Sequence, residues 1–307
     1  MKKIIVFLVI SCFILPNLAF AGAWTVGRGN IWLEQTAKYS WAKWDYDENR
    51  HMRRKGNNAR SWGWSHTSKA EYGLLDWLTI LGGVEYKLGR YTEYDRPVPW
   101  GDYDVSNNAF TSAECGVRIR HLKEPVVLST QIKGYLYLDG KGYRDPIPAS
   151  PSHPSADRPP LTDGSNALEI RSMVGKIFDE QIPFYYGFEA GYRFRNKHAC
   201  NEVPLFAEMG VWPVRWLLIK SEIDVVLCHD GTGDFEKDYA IWRAGPIIYL
   251  LDIYHMLKGI DISSKEYKDN ITKKGRSINV EFQYGWTFWG RNTSADRELI
   301  VKVSTEF

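Results

Sequence analysis

Residues 278–288 read Ile278-Asn279-Val280-Glu281-Phe282-Gln283-Tyr284-Gly285-Trp286-Thr287-Phe288. Every second residue is large and apolar, and those between are polar or glycine. Successive side chains of a strand point to opposite faces, so the stretch predicts a strand with one apolar and one polar face. A helical period would mix the two sets on every side.

The same period recurs on both sides of this stretch. Residues 31–41 set Ile31, Leu33, Ala37, Tyr39 and Trp41 against Trp32, Glu34, Thr36, Lys38 and Ser40. Residues 61–74 set Trp62, Trp64, Ala70, Tyr72 and Leu74 against Ser61, Ser65, Thr67, Lys69 and Glu71. Further alternating segments lie at 78–88, 114–120, 128–138, 168–174, 184–193, 205–211, 219–227, 242–250 and 299–307. That makes twelve, and no segment shows a helical period over three turns.

A soluble β-sandwich also alternates. Three features favour a closed membrane barrel over it. The strands reach about 10–14 residues, beyond the usual 5–6. The breaks alternate in length: Leu75 to Trp77, Lys123 to Pro125, Phe178 to Pro183 and Pro213 to Trp216 are short, while 45–60, 93–107 and 139–166 are long. An outer-membrane barrel has short periplasmic turns and long outer loops. Finally, Trp41, Trp44, Trp62, Trp64, Trp286 and Trp289 fall near the outer strand ends, and Trp77, Trp212 and Trp216 near the inner turns. Two levels of indole suggest two interfacial girdles, to which Trp41, Trp62, Trp77, Trp212 and Trp286 are assigned.

The expected fold is therefore an all-β, antiparallel transmembrane β-barrel of about twelve strands. Residues 252–276 are rich in Lys and Asp and alternate poorly. They form either a long inner connection or a hairpin that raises the count to fourteen.

The chain has 307 residues, 39 Lys and Arg against 37 Asp and Glu, and a mean hydropathy of −0.37. That value excludes a bundle of membrane helices, which needs repeated apolar runs of about 20 residues. Charged residues at 25% and hydrophobic ones at 44% exclude a disordered chain. The near-neutral balance speaks against nucleic acid as a partner.

The long apolar run is N-terminal. In residues 1–21, Lys2 and Lys3 precede an apolar core, Ile4 to Leu15, and Ala19-Phe20-Ala21 forms a small-x-small cleavage signal. A signal peptide cleaved after Ala21 is expected, leaving residues 22–307 as the barrel. The rival readings are an uncleaved anchor and lipoprotein processing at Cys12. Cleavage removes Lys2 and Lys3 and no acid, leaving 37 basic and 37 acidic side chains and weak long-range steering of solutes. Export also implies a Gram-negative outer-membrane location, with outer-membrane lipids, lipopolysaccharide and the barrel-insertion machinery as partners. Phe307 ends the chain in phase with the apolar face of the last strand, as does the C-terminal signal by which outer-membrane proteins are recognised for insertion.

Glu71-Tyr72-Gly73-Leu74-Leu75-Asp76-Trp77-Leu78-Thr79 resembles the second hairpin of the porin-like barrels grouped with phenol meta-pathway proteins. Gly191-Tyr192-Arg193-Phe194-Arg195 and Gly290-Arg291-Asn292-Thr293-Ser294-Ala295 resemble later hairpins of such barrels. The resemblance implies an outer-membrane barrel for solute passage and supplies no catalytic residues. Residues 252–276 depart from the pattern.

The polar faces carry charges of both signs. Lys38, Lys69, Lys87, Arg118, Arg120, Lys133, Arg171, Arg193 and Lys220 oppose Glu34, Glu71, Glu85, Glu114, Glu169, Glu189, Glu208, Glu222 and Asp224. They either line a pore that selects solutes or form a cross-strand ion-pair network that fills the lumen, since buried charge must be paired. His66 lies near Ser65 and Ser68, and Asp230 follows His229, but neither spacing marks a nucleophile and base, so no catalysis is expected. His51, His153, His198 and His229 lack metal-ligand spacing, and no motif calls for a cofactor. The basic stretch 50–60 is either a solvated loop or a contact for anionic lipopolysaccharide. The proline-rich loop 139–166 either folds in as a constriction or stands outside as a binding loop.

After cleavage three cysteines remain. Cys200 and Cys228 fall near the outer rim on adjacent strands, where the spacing a disulfide needs is permitted. Cys115 sits mid-strand on the apolar face. A Cys200–Cys228 bond with Cys115 free is expected, against three unpaired thiols. Two functions remain: a passive channel or transporter for small solutes, and a closed structural or adhesive barrel acting through its outer loops.

Overall fold

Each two-faced strand needs an apolar medium on one side and a polar one on the other, and twelve of them meet that need by closing on themselves. The computed structural model describes residues 23–94, 103–138, 161, 164–179, 182–196, 199–230, 237–260, 262 and 277–307. Its strands are β1 (Ile31–Ala42), β2 (Trp44–Tyr46), β3 (Met52–Arg54), β4 (Arg60–Leu75), β5 (Leu78–Glu93), β6 (Tyr103–Leu122), β7 (Val127–Tyr137) and β8 (Ala167–Phe178). They continue with β9 (Phe184–Arg195), β10 (Asn201–Val214), β11 (Leu217–His229), β12 (Asp238–Tyr249), β13 (Ser277–Arg291), β14 (Thr293–Ser294) and β15 (Arg297–Glu306).

The barrel runs β1-β15-β13-β12-β11-β10-β9-β8-β7-β6-β5-β4 and closes by pairing β1 with β4. Every pairing is antiparallel. Twelve strands thus make the wall, and the described residues of 252–276, which are 252–260 and 262, contain no strand. A helix, α1 (Leu250–Leu257), leads into that segment, where the residues show no helical period. Eight residues are about two turns, too few for a 3.6 period to stand out. The remaining short strands, β14, β2 and β3, form a small sheet at the end where the long loops lie.

The faces follow the alternation. Phe110, Leu136, Phe188, Met209, Phe282 and Leu299 are exposed on the outer surface. Charged Glu169, Glu222, Glu298, Lys220 and Arg118 are buried inside. This inverts the arrangement of a soluble domain, and closure leaves the barrel sheet without an edge.

At the short-turn end the chain preceding β1 turns inward. Residues 23–29 cross the mouth of the barrel, with Ala23 and Val26 buried. Trp24 packs on Ala23, Val127 and Met173, and also on Tyr185, Trp212 and Leu218. Gly175 makes room for it: a Cβ there would come within 2.4 Å of the Trp24 ring. Gly73 likewise lies against the crossing segment, where a Cβ would meet the Gly27 carbonyl oxygen at 2.0 Å.

Candidate functional site

The lumen collects the polar faces of all twelve strands. Its lining is an ion-pair network in three groups. On β7 to β10, the buried Glu169 receives Arg171 at 3.0 Å and Arg193 at 2.7 Å. Arg171 continues to Glu189 at 2.6 Å, and Arg193 to Glu202 at 2.6 Å. Arg195 also bonds Glu202, and Lys133 pairs with Glu114 at 3.2 Å. Two guanidiniums flank this carboxylate, as buried charge requires: Arg193 donates twice to Oε2, while Arg171 meets Oε1 as an ion-pair contact.

Across the barrel, Lys220 bridges Glu222 at 3.0 Å and Glu281 at 2.6 Å, and Lys302 reaches Glu281 at 3.6 Å. Arg243 contacts Glu222 at 3.4 Å, Asp224 at 3.6 Å and Glu298. Lys38 meets Glu298 at 3.6 Å.

The third group joins the wall to the crossing segment. Arg118 makes a forked contact with Glu71, at 2.9 and 3.0 Å, and bonds Gln131 Oε1. Its Nη1 also donates to the carbonyl oxygen of Trp24 at 2.9 Å. Ser129 Oγ donates to the Ala23 carbonyl, and the Val26 N–H donates to Thr79 Oγ1 at 3.0 Å. Beneath these bonds Trp24, Tyr185, Trp212 and Leu218 form an apolar floor, with Tyr185 and Trp212 ring centres 5.5 Å apart. A polar cavity of about 210 Å³ remains within the lumen, bordered by Glu34, Lys69, Glu114, Lys133, Glu208 and Lys302 among others.

Of the charges picked out from the sequence, all but Glu34, Lys69, Arg120 and Glu208 take part in an ion pair among the described residues; Lys87 and Glu85 pair at 3.0 Å. Glu208 instead accepts from Tyr185 Oη at 3.4 Å, and Glu34 accepts from Thr36 Oγ1 at 3.1 Å. Arg120 lies opposite Ser129 at the short-turn end. The sequence reading stopped at Asp224 and so missed Arg243, Glu281, Glu298 and Lys302. Their inward phase on β12, β13 and β15 was available to find them. It also missed the crossing segment, which has no period to read.

Trp41 and Trp62 face each other across β1 and β4 on the outer wall. Trp286 is 38% exposed and Trp77 48% exposed. Trp212 is the exception. It is buried to 7% inside the lumen and does not stand in a girdle. It follows the phase of Glu208, opposite to Met209 and Val211, and parity outweighs its nearness to a turn. Phe307 is exposed on the outer surface, and its N–H and carbonyl both bond Ile31, at 3.0 Å each.

Cys200 and Cys228 are joined, with Cα atoms 5.7 Å apart, and Cys115 is free and exposed. His66 and Ser65 point to opposite sides of the wall, since Ser65 is buried and His66 bonds Gln35 outside. Among the described residues no three His, Cys, Asp or Glu gather into a metal site. In the basic stretch, Arg50 reaches Asp238 at 3.5 Å, Arg53 Nε contacts Asp47 at 2.8 Å and Lys55 contacts Asp45 at 2.9 Å. The Asp47 carboxyl is held below the usual carboxylate range, chiefly because the His51 backbone N–H donates to it. Most of loop 139–166, with His153, and His198 lie outside the described residues.

No family model matches the chain, and no curated protein is significantly similar to it in sequence. Its fold is similar to that of the COG4313 outer membrane channel from Pseudomonas putida F1. The TM-score is 0.60 at 11% identity, over 95% of this chain and 100% of that one. The transport unit of the autotransporter AIDA-I from Escherichia coli matches over 100% of this chain and 97% of that one, with a TM-score of 0.44 and 10% identity.

Proposed function

We propose that this chain is an outer-membrane β-barrel that passes small solutes through its lumen and is held shut at its periplasmic, short-turn end by residues 23–29. The observation that carries the reading is the polar cavity of about 210 Å³ inside an apolar-walled cylinder, closed below by a segment held through a few side chains. The exposed apolar band requires a hydrocarbon surround. A charged lining of both signs suits small polar solutes that exchange water for paired hydrogen bonds. The short motifs shared with the phenol meta-pathway barrels and the fold shared with a bacterial outer-membrane channel support the same reading.

A closed structural barrel acting through its outer loops is the second reading. It is favoured by the Trp24, Tyr185, Trp212 and Leu218 floor. Planar-bilayer recording separates the two. Deleting residues 23–29 while retaining residues 1–22 should give stepwise conductance larger than that of the full chain. A folded deletion barrel that stays silent would reject the channel. The location is tested by a semi-native gel: boiled and unboiled protein from outer membranes should migrate differently, and recovery as a soluble periplasmic protein would reject it.

A further inference from the structure

The outer wall where β1 meets β4 carries a polar cluster that no lumenal role uses. Gln35, His66 and Ser68 lie on the outer face, in phase with Leu33, Ala37, Trp64 and Ala70, and Gln35 and His66 are exposed. His66 Nε2 donates to Gln35 Oε1 at 2.8 Å, and Ser68 Oγ donates to the same oxygen at 2.7 Å. Along β4 the cluster lies between Trp64 and Tyr72, both exposed aromatics. It therefore falls inside the band that hydrocarbon would cover in the membrane-embedded barrel proposed above, on which this inference rests.

An amide oxygen can only accept, so the imidazole proton sits on Nε2 and the neutral ring keeps an acceptor at Nδ1. Gln35 keeps two amide donors. Neither the Gln35 amide nor His66 Nδ1 has a partner among the described residues. Hydrocarbon offers none, and each polar group left bare there is costly.

The patch thus carries an unused donor and an unused acceptor side by side. A two-fold contact uses both at once: Gln35 of each copy donates to His66 Nδ1 of the other, as an isologous interface demands. The shape of the wall fits close approach. Ala70, Gly82, Cys115 and Gly134 are successive cross-strand neighbours on the same outer face, forming a row with no side chain larger than a thiol. Next to the cluster Tyr39 stacks on Trp41 with ring centres 5.5 Å apart and lies tilted against Trp64 at 4.8 Å, giving apolar area of the kind that anchors interfaces.

We infer that this face is the two-fold interface of a homodimer within the membrane, with Gln35 and His66 hydrogen-bonded across the axis.

The test is crosslinking in intact outer membranes. A full-length chain carrying Ala70→Cys in a Cys115→Ser background is oxidised with copper-phenanthroline. A band of twice the monomer mass, containing this polypeptide alone, is expected. Adding Gln35→Leu and His66→Leu should abolish that band while the unboiled barrel still shifts on the gel. A shifting barrel that gives no crosslink, a crosslink to a different polypeptide, or a band unchanged by the leucines would overturn the proposal. Native mass spectrometry of the unsubstituted protein in mild detergent gives a second readout, with dimer expected and monomer alone contrary. Loss of the gel shift in the unsubstituted protein would instead reject the barrel reading beneath it.

Discussion

Arg118, buried in the wall of β6, donates from Nη1 to the carbonyl oxygen of Trp24 at 2.9 Å while its two terminal nitrogens clamp Glu71. One guanidinium thereby ties the segment that crosses the barrel mouth to the lumenal ion network. The fork geometry matters, because a point charge could not serve a carboxylate and a carbonyl in fixed directions at once.

Loosening this tie should open the mouth. Arg118→Gln keeps a donor but loses the fork, and Gly175→Leu drives a side chain into the Trp24 ring. Both variants should show conductance above the full chain in planar bilayers, while the gel shift shows that the barrel still forms. Unchanged recordings from both would mean that the segment does not close the path.

The centre of the β7 to β10 network should dominate stability. Glu169 is fully buried between Arg171 and Arg193. Glu169→Gln leaves three guanidiniums, Arg171, Arg193 and Arg195, with two carboxylates, Glu189 and Glu202, and should lower stability by about 1–3 kcal/mol. The half-buried pair of Lys87 and Glu85 provides the contrast, and Lys87→Met should cost about 0–1 kcal/mol. Urea unfolding in lipid vesicles measures both, and equal losses would contradict the ranking.

Phe307 extends the β1 to β15 pairing by exchanging both backbone hydrogen bonds with Ile31. Deleting it removes that pair and the terminal ring. Deletion should lower the assembled fraction more than Phe307→Tyr, which keeps both. The measure is the amount of heat-modifiable protein in the outer membrane, and equal yields would count against an assembly role.

The Cys200 to Cys228 bond joins the start of β10 to the end of β11, whose residues Glu202 and Cys228 are already paired. Thiol counting on unfolded, unreduced protein lacking residues 1–21 should find one free group, Cys115. Three free thiols would reject the bond.

The sequence determined the twelve wall strands and their faces by itself, because the two sides of a barrel wall meet opposite media and each strand records that contrast locally. Ile278 to Phe288 is enough to read one wall element, and the same rule applied strictly would have turned Trp212 inward. Tertiary structure alone decided how the mouth is closed. Ala23 to Gly29 has no period, and its bonds reach partners far along the chain, 94 residues away for Trp24 with Arg118 and 106 for Ala23 with Ser129. It also decided which charges meet, since Arg243 finds Glu298 across 55 residues through β13. The outward cluster of Gln35, His66 and Ser68 was likewise invisible. Its residues come from two strands, and only the β1 to β4 register sets Gln35 opposite Ser68. Register depends on closing the whole barrel, and no single strand encodes it.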